Sequence, residues 1–205
     1  MTEASHAAAR PVRARLRDTE LRPVRREDAR VLFPLIHGVP GVVRWLSWEG
    51  PARVEDLEER YATWRAGALE EPLYTFAVTR ASDGEVLGEA SLRFDDHPGV
   101  GELGYWLGEP HRGRGHGRDA VELLARFGFE HVGAFALTAR VKEGNEASMA
   151  VLEAAGFRPE SAPGIDGSDE DPPIAWIYSA TRRADLRREG RPEIALLPDP
   201  GRDSR

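Results

Sequence analysis

The stretch "GYWLGEPHRGRGHGRDAVELL", residues 104–124, passes from an apolar strand-like run through three alternating glycines into a helical pattern. Arg112, Arg114 and Arg118 interleave there with Gly113, Gly115 and Gly117. A helix start offers unpaired backbone N–H groups and a partial positive charge, which together suit a phosphate. Glycine at Gly115 and Gly117 lets phosphate oxygens approach the amides closely, and the arginines add charge around that cradle. A Walker-type loop would need Gly-Lys-Ser/Thr, and the chain's single lysine, Lys142, lies far downstream. A dinucleotide-binding loop fits poorly as well. Gly113 and Gly115 match its first two glycines, but Arg118 stands where the third belongs. What remains is the string Arg-x-x-Gly-x-Gly beginning at Arg112, placed between a strand and a helix.

The elements that must hold this loop follow from the flanking patterns. A short strand is expected in "TELRPVRRED", then two short helices in "DARVLFPLIHG" and "PGVVRWLSW". A longer helix is expected over residues 53–69, with Val54, Leu57, Tyr61 and Trp64 on one stripe. The aromatic set Trp45, Trp48, Tyr61 and Trp64 reads first as core packing, with the lining of an acceptor pocket as the alternative. "LYTFAVTR" and "EVLGEASLRF" form a hairpin across Asp83-Gly84, and "PGVGELGYWLG" supplies the next strand. Beyond the glycine loop come a helix carrying Val121, Leu124 and Gly128, the strand "AFALTARV", and the helix of "NEASMAVLEAAGF" with an Asn cap and a Gly stop. An acidic loop, "SAPGIDGSDEDPP", precedes a last strand, "IAWIYSATR". The pattern is mixed α/β with a largely antiparallel sheet. Residues 1–17 read as a flexible basic segment, 18–182 as the folded domain and 183–205 as a disordered tail.

Bulk properties narrow the functional classes. The chain has 205 residues and a formal charge of −7, with four Arg against one Glu in residues 1–17 (+3) and seven Arg against five acids in residues 182–205 (+2). The body therefore carries −12, which disfavours nucleic acid. There is no cysteine, so neither a disulfide framework nor a thiolate nucleophile or metal site is expected. No apolar run approaches the length of a membrane span, and a reducing cytoplasm is the expected compartment.

"ELGYWL", the glycine-arginine loop and "N-x-x-S-x-x-x-L-x-x-x-G-F" together resemble the GNAT superfamily of acetyl-CoA-dependent N-acetyltransferases. The opening "LRPVRREDARVLFPLI" and the "LGEASLRF" strand are similar to its Rim-type branch, the ribosomal-protein N-terminal acetyltransferases. The resemblance covers residues 18 to about 181 and implies the GNAT fold, a mostly antiparallel sheet splayed at a wedge for acetyl-CoA. It implies that Trp106 and Leu107 offer backbone groups to the pantetheine arm. Arg112, Gly113, Arg114, Gly115, His116, Gly117 and Arg118 would hold the pyrophosphate. It also implies that Asn145 contacts the cofactor while capping its helix, and that Ser148 protonates the departing thiolate.

The attacking amine must lose a proton, because an ammonium has no lone pair. Glu102 is the leading base candidate and Glu89 the second, with His111 and His116 expected to flank the phosphate loop. The acidic residues Asp166, Asp169, Glu170 and Asp171 are expected to attract a cationic amine, either a peptide N-terminus or a small amine such as an antibiotic. Direct transfer in a ternary complex, by a monomer or a homodimer, needs no covalent enzyme intermediate. A non-catalytic acyl-CoA sensor of the same fold is the alternative, and an NAD-dependent enzyme stands third.

Overall fold

The computed structural model describes residues 12–65, 73–94, 99–161, 174–181 and 195–198. Its strands are β1 (Val12–Leu16), β2 (Thr19–Pro23), β3 (Leu73–Arg80), β4 (Val86–Phe94), β5 (Val100–Leu107), β6 (Ala136–Lys142), β7 (Arg158–Ser161), β8 (Ile174–Thr181) and β9 (Ala195–Pro198). They form one sheet in the order β7-β8-β6-β5-β4-β3-β2-β1-β9. The helices are α1 (Asp28–Ile36), α2 (Pro40–Val43), α3 (Val54–Arg65), α4 (His116–Arg126) and α5 (Glu146–Ala154). The mixed, mostly antiparallel architecture expected from the sequence is the one found.

Every strand pair is antiparallel except β5 with β6, which α4 connects as a crossover. That parallel contact is brief: Val100 pairs with Ala136, Gly101 with Leu137 and Glu102 with Thr138. β5 then follows β4 as far as Leu107, and β6 follows β8 as far as Lys142. Each strand keeps its antiparallel partner, and sheet twist carries the two apart. The result is a wedge open between residues 103–107 and 139–142.

Strand alternation divides the site between two layers. Leu92, Phe94, Leu103, Leu107, Leu137, Ala139 and Val141 pack with Val121, Leu123 and Leu124 of α4 and with Leu152 of α5. The opposite face carries Trp106, which packs with Leu32, Ile36, Leu57 and Tyr61 from α1 and α3. α4 runs directly into a π-helical turn, Phe127–Val132, where Gly128 lies so close to the sheet that a Cβ would stand 3.0 Å from Leu92 and 3.1 Å from Leu137. Among the described residues, no helix is long and apolar enough to cross a membrane.

Two segments depart from the sequence reading. The supposed flexible leader supplies β1, where Ala14 and Leu16 are buried and Arg13 meets Glu20 at 2.5 Å. The segment alternates strictly, Val-Arg-Ala-Arg-Leu, which is the pattern of a half-buried strand despite its basic charge. The supposed tail supplies β9, which pairs antiparallel with β1 from Val12↔Pro198 to Arg15↔Ala195. "PGVVRWLSW" shortens to one turn of helix, α2, followed by turns.

Gly88 is where β4 and β5 approach most tightly beside the wedge. A Cβ there would stand 2.1 Å from the Trp106 carbonyl oxygen and 2.9 Å from the Leu107 Cα. Backbone cannot yield as a side chain can, so Gly88→Ala is expected to destabilise the fold by roughly 3 kcal/mol. The midpoint of urea unfolding checks this, with Gly84→Ser in the exposed β3–β4 turn as a milder comparison.

Candidate active site

A cavity of about 670 Å³ occupies the wedge and spreads toward α2 and α3. One end is walled by Gly113, Gly115, Gly117 and Arg118, the middle by residues 102–107 of β5, and the side facing α5 by Asn145 and Ser148. Trp45, Leu46, Ser47 and Trp48 line it from the segment after α2. Glu89, Ser91 and Arg93 of β4 and Arg140 and Lys142 of β6 complete the wall. Glu89, Glu102, Trp106, Leu107, Arg112, Gly113, Gly115, Gly117, Arg118, Asn145 and Ser148 are thus brought together in one cavity. Arg114 and His116 are not part of its wall.

The phosphate loop has the local form that its glycines require. Gly113 and Gly115 have φ of 75° and 88°, left-handed values natural to glycine, and a Cβ at either would meet nothing within 4 Å. Gly115 caps α4 with no side chain of its own to accept from the first-turn amides. Arg118 joins this wall with a buried Nε that has no hydrogen-bond partner. Open amides, a backbone that leaves room and an orphaned guanidinium N–H all fit a diphosphate.

Arg112 and His116 have different partners from those expected. Arg112 Nε donates to the Leu107 carbonyl at 3.0 Å and its Nη2 to the Gly41 carbonyl at 3.0 Å. It ties α2 to the end of β5. The His116 ring, nine-tenths buried, lies 2.8 Å from the Thr19 hydroxyl, which donates to Asp119 at 3.2 Å. Asp119 in turn pairs with Arg17. This cluster anchors the start of α4 to the β1–β2 hairpin. His111 is also buried, with Glu85 at 3.9 Å, and lies outside the cavity wall.

The two carboxylates have unlike surroundings. Glu102 accepts from Arg140 Nε at 2.9 Å and from Arg93 Nη2 at 3.4 Å, so both of its oxygens are engaged by guanidinium groups. Glu89 is buried and accepts the Tyr61 hydroxyl at 2.5 Å. Burial pushes the Glu89 carboxyl upward, although the Tyr61 hydrogen bond and Arg60 pull it back. Burial, and then the Glu89 charge, push the Tyr61 phenol far up, so it remains a donor.

On the other face of β5, Tyr105 was not singled out from the sequence. Its hydroxyl lies 3.2 Å from Ser148 Oγ, and burial pushes the phenol up to about 12. Asn145 Oδ1 accepts from the Ser148 backbone N–H at 3.2 Å, which fixes the start of α5. The spacing signal for Tyr105 was present: it lies one residue before Trp106 and so points to the opposite face. Trp45 and Trp48 line the cavity, with Arg44 over the Trp45 ring and Arg60 over the Trp48 ring, each at 4.2 Å. Tyr61 is wholly buried. Asp166, Asp169, Glu170 and Asp171 lie outside the described residues, as does the side chain of Trp64.

A strand pair that splays beside a glycine-rich helix start defines an acyl-CoA-type N-acyltransferase fold. Residues 18–158 match the acetyltransferase (GNAT) domain family, and the chain belongs to it. It is 32% identical to "Probable N-acetyltransferase YjcK" of Bacillus subtilis over 110 residues, 52% of this chain and 60% of that protein. It thus spans less than two thirds of that relative. Among solved structures, Mycobacterium smegmatis RimJ in complex with CoA-disulfide superposes with a TM-score of 0.72 at 23% identity, covering 87% of this chain and 88% of that one. Spermidine N-acetyltransferase from Vibrio cholerae, in complex with CoA and spermine, gives 0.68 at 17% identity, covering 82% and 98%.

The contrast between the arginines is testable by calorimetric titration with CoA. Arg118→Ala is expected to weaken binding about tenfold or more, the value of a charge-assisted hydrogen bond. Arg112→Ala should lower the thermal midpoint while changing CoA affinity less.

Proposed function

We propose that the protein is an N-acetyltransferase that moves acetyl from acetyl-CoA to a primary amine by direct attack in a ternary complex. The observation that carries this reading is the wedge itself: the β5 edge that β6 leaves after Glu102, running toward the phosphate loop past a buried carboxyl with a raised pKa and a hydroxyl pair. Acetyl-CoA supplies a thioester whose carbonyl carbon accepts the amine. The amides of residues 115–118 and Arg118 hold its diphosphate, and the edge of β5 beyond Glu102, which β6 leaves uncovered, orients the arm. An N–H of that edge stabilises negative charge growing on the carbonyl oxygen.

The general base in this reading is Glu89, ahead of the initially favoured Glu102. Both oxygens of Glu102 already accept from guanidinium groups, which leaves it poorly placed to receive an amine proton. A buried carboxyl raised toward neutrality, with Tyr61 on one oxygen, is better matched to an amine proton. Ser148, backed by Tyr105, donates a hydrogen bond to the departing thiolate. With its phenol pushed up to about 12, Tyr105 keeps its proton and serves as a donor. Structural likeness to RimJ supports a Rim-type assignment, with peptide N-termini or small amines as acceptors.

The test is thiol release from acetyl-CoA across a panel of peptides, polyamines and aminoglycosides. CoA binding without turnover on any of them would favour the sensor reading. Glu89 is protonated below its raised pKa and ionised above it, so kcat/KM should rise with pH along a limb above the ordinary carboxylate range of about 4.3. Glu89→Gln should remove that limb and lower kcat by about 10²-fold or more. Ser148→Ala and Tyr105→Phe should each lower kcat, and the double variant should lose less than the two effects combined, because the hydroxyls act as one unit.

A further inference from the structure

We infer that Trp106 selects the acceptor: its indole N–H donates to an oxygen on the carbon next to the amine-bearing one, as in an α-amino amide or a vicinal amino alcohol. The inference rests on the acetyl-transfer reading and narrows its substrate. Trp106 lines the cavity, is only 8% exposed, and has a buried Nε1–H with no hydrogen-bond partner. An unpaired buried donor is costly, and one on a cavity wall is satisfied when an acceptor atom fills the cavity. Indole nitrogen only donates, so the atom that completes it is an acceptor such as oxygen.

Strand register sets how far that oxygen stands from the reacting nitrogen. Glu89 and Trp106 are direct partners across β4 and β5. Their side chains share one sheet face, where cross-strand Cβ atoms stand about 5 Å apart. Tyr61 donates to Glu89 Oε2, which leaves Oε1 for the amine. A carboxylate and an N–H rooted so close together read two atoms of one small fragment, and N–C–C–O is such a fragment. Spermidine carries a methylene where the oxygen belongs. The next rung gives the rest of the acceptor its room. Ser91 pairs there with Gly104, and both line the cavity. Gly104 is exposed, and a Cβ on it would meet only Ser91 Oγ, at 3.3 Å. The floor beside Glu89 is therefore open down to the backbone, with space for a substituent on the amine-bearing carbon.

The experiment uses matched acceptors that differ in the oxygen, with CoA-thiol release as the readout and kcat/KM referred to unprotonated amine. One pair is an Ala-initiated tripeptide against the same tripeptide with a trans-alkene in place of its first peptide bond. The other is ethanolamine against propylamine. The oxygen-bearing member of at least one pair is expected to show kcat/KM higher by about tenfold or more. Trp106→Phe keeps an aromatic ring without the N–H and should shrink that ratio severalfold. The pair that responds tells a carbonyl from a hydroxyl. Gly104→Val, which fills the floor without touching the indole, should raise KM for the tripeptide severalfold while CoA affinity, read by calorimetry, is kept. Equal rates within both pairs, a ratio that survives Trp106→Phe, or a KM indifferent to Gly104→Val would overturn the inference while leaving acetyl transfer intact. Should no amine turn over, the N-acetylated tripeptide and its alkene counterpart are titrated into the CoA-saturated protein. Tighter binding of the oxygen-bearing product supports the inference; equal or absent binding overturns it.

Discussion

The site depends on a conflict between two strand pairings. β5 is held by β4 along its length and β6 by β8, and both antiparallel ladders run on where the parallel contact between β5 and β6 has ended, the β6–β8 ladder with one register shift between Val141 and Lys142. Closing the gap would mean breaking ladder bonds on the outer sides, so the β5 edge beyond Glu102 has no strand partner in β6. A buried edge of that kind is costly unless another polar chain completes it. An extended amide-bearing arm is such a chain.

The surrounding elements serve that opening from two sides. On the α4 face, the start of α4 presents its amides and Arg118, and the His116–Thr19–Asp119 cluster fixes its position against the β1–β2 hairpin. On the α1–α3 face, Arg112 and Lys142 bind carbonyls of Gly41 and Leu46, so that the segment around α2 roofs the cavity. Residues that looked like ligand contacts thus set the walls of the site. Alternation along β5 then assigns chemistry by parity: Tyr105 faces Ser148, whereas Trp106 faces the layer holding Glu89.

Much of this was legible from local pattern. The glycine-arginine loop, the strands on either side of the wedge and the Asn145 cap are short-range signals, and each stands where periodicity and turn chemistry put it. What escaped were properties set by distant partners. No spacing rule shows that Arg93 and Arg140 occupy Glu102 or that Tyr61 covers Glu89, because those contacts join separate strands and helices. Tyr105 hid for the same reason, since its partner Ser148 lies 43 residues away. The β1 strand was different: its alternation was visible but was outweighed by its arginines.

Amide hydrogen exchange, read with and without CoA, tests the wedge most directly. The account predicts slowed exchange for the amides on the open edge of β5 between residues 103 and 107 and for those of residues 115–118, with the β2–β3 ladder unchanged. Protection absent from both stretches, or confined to another part of the molecule, would contradict it.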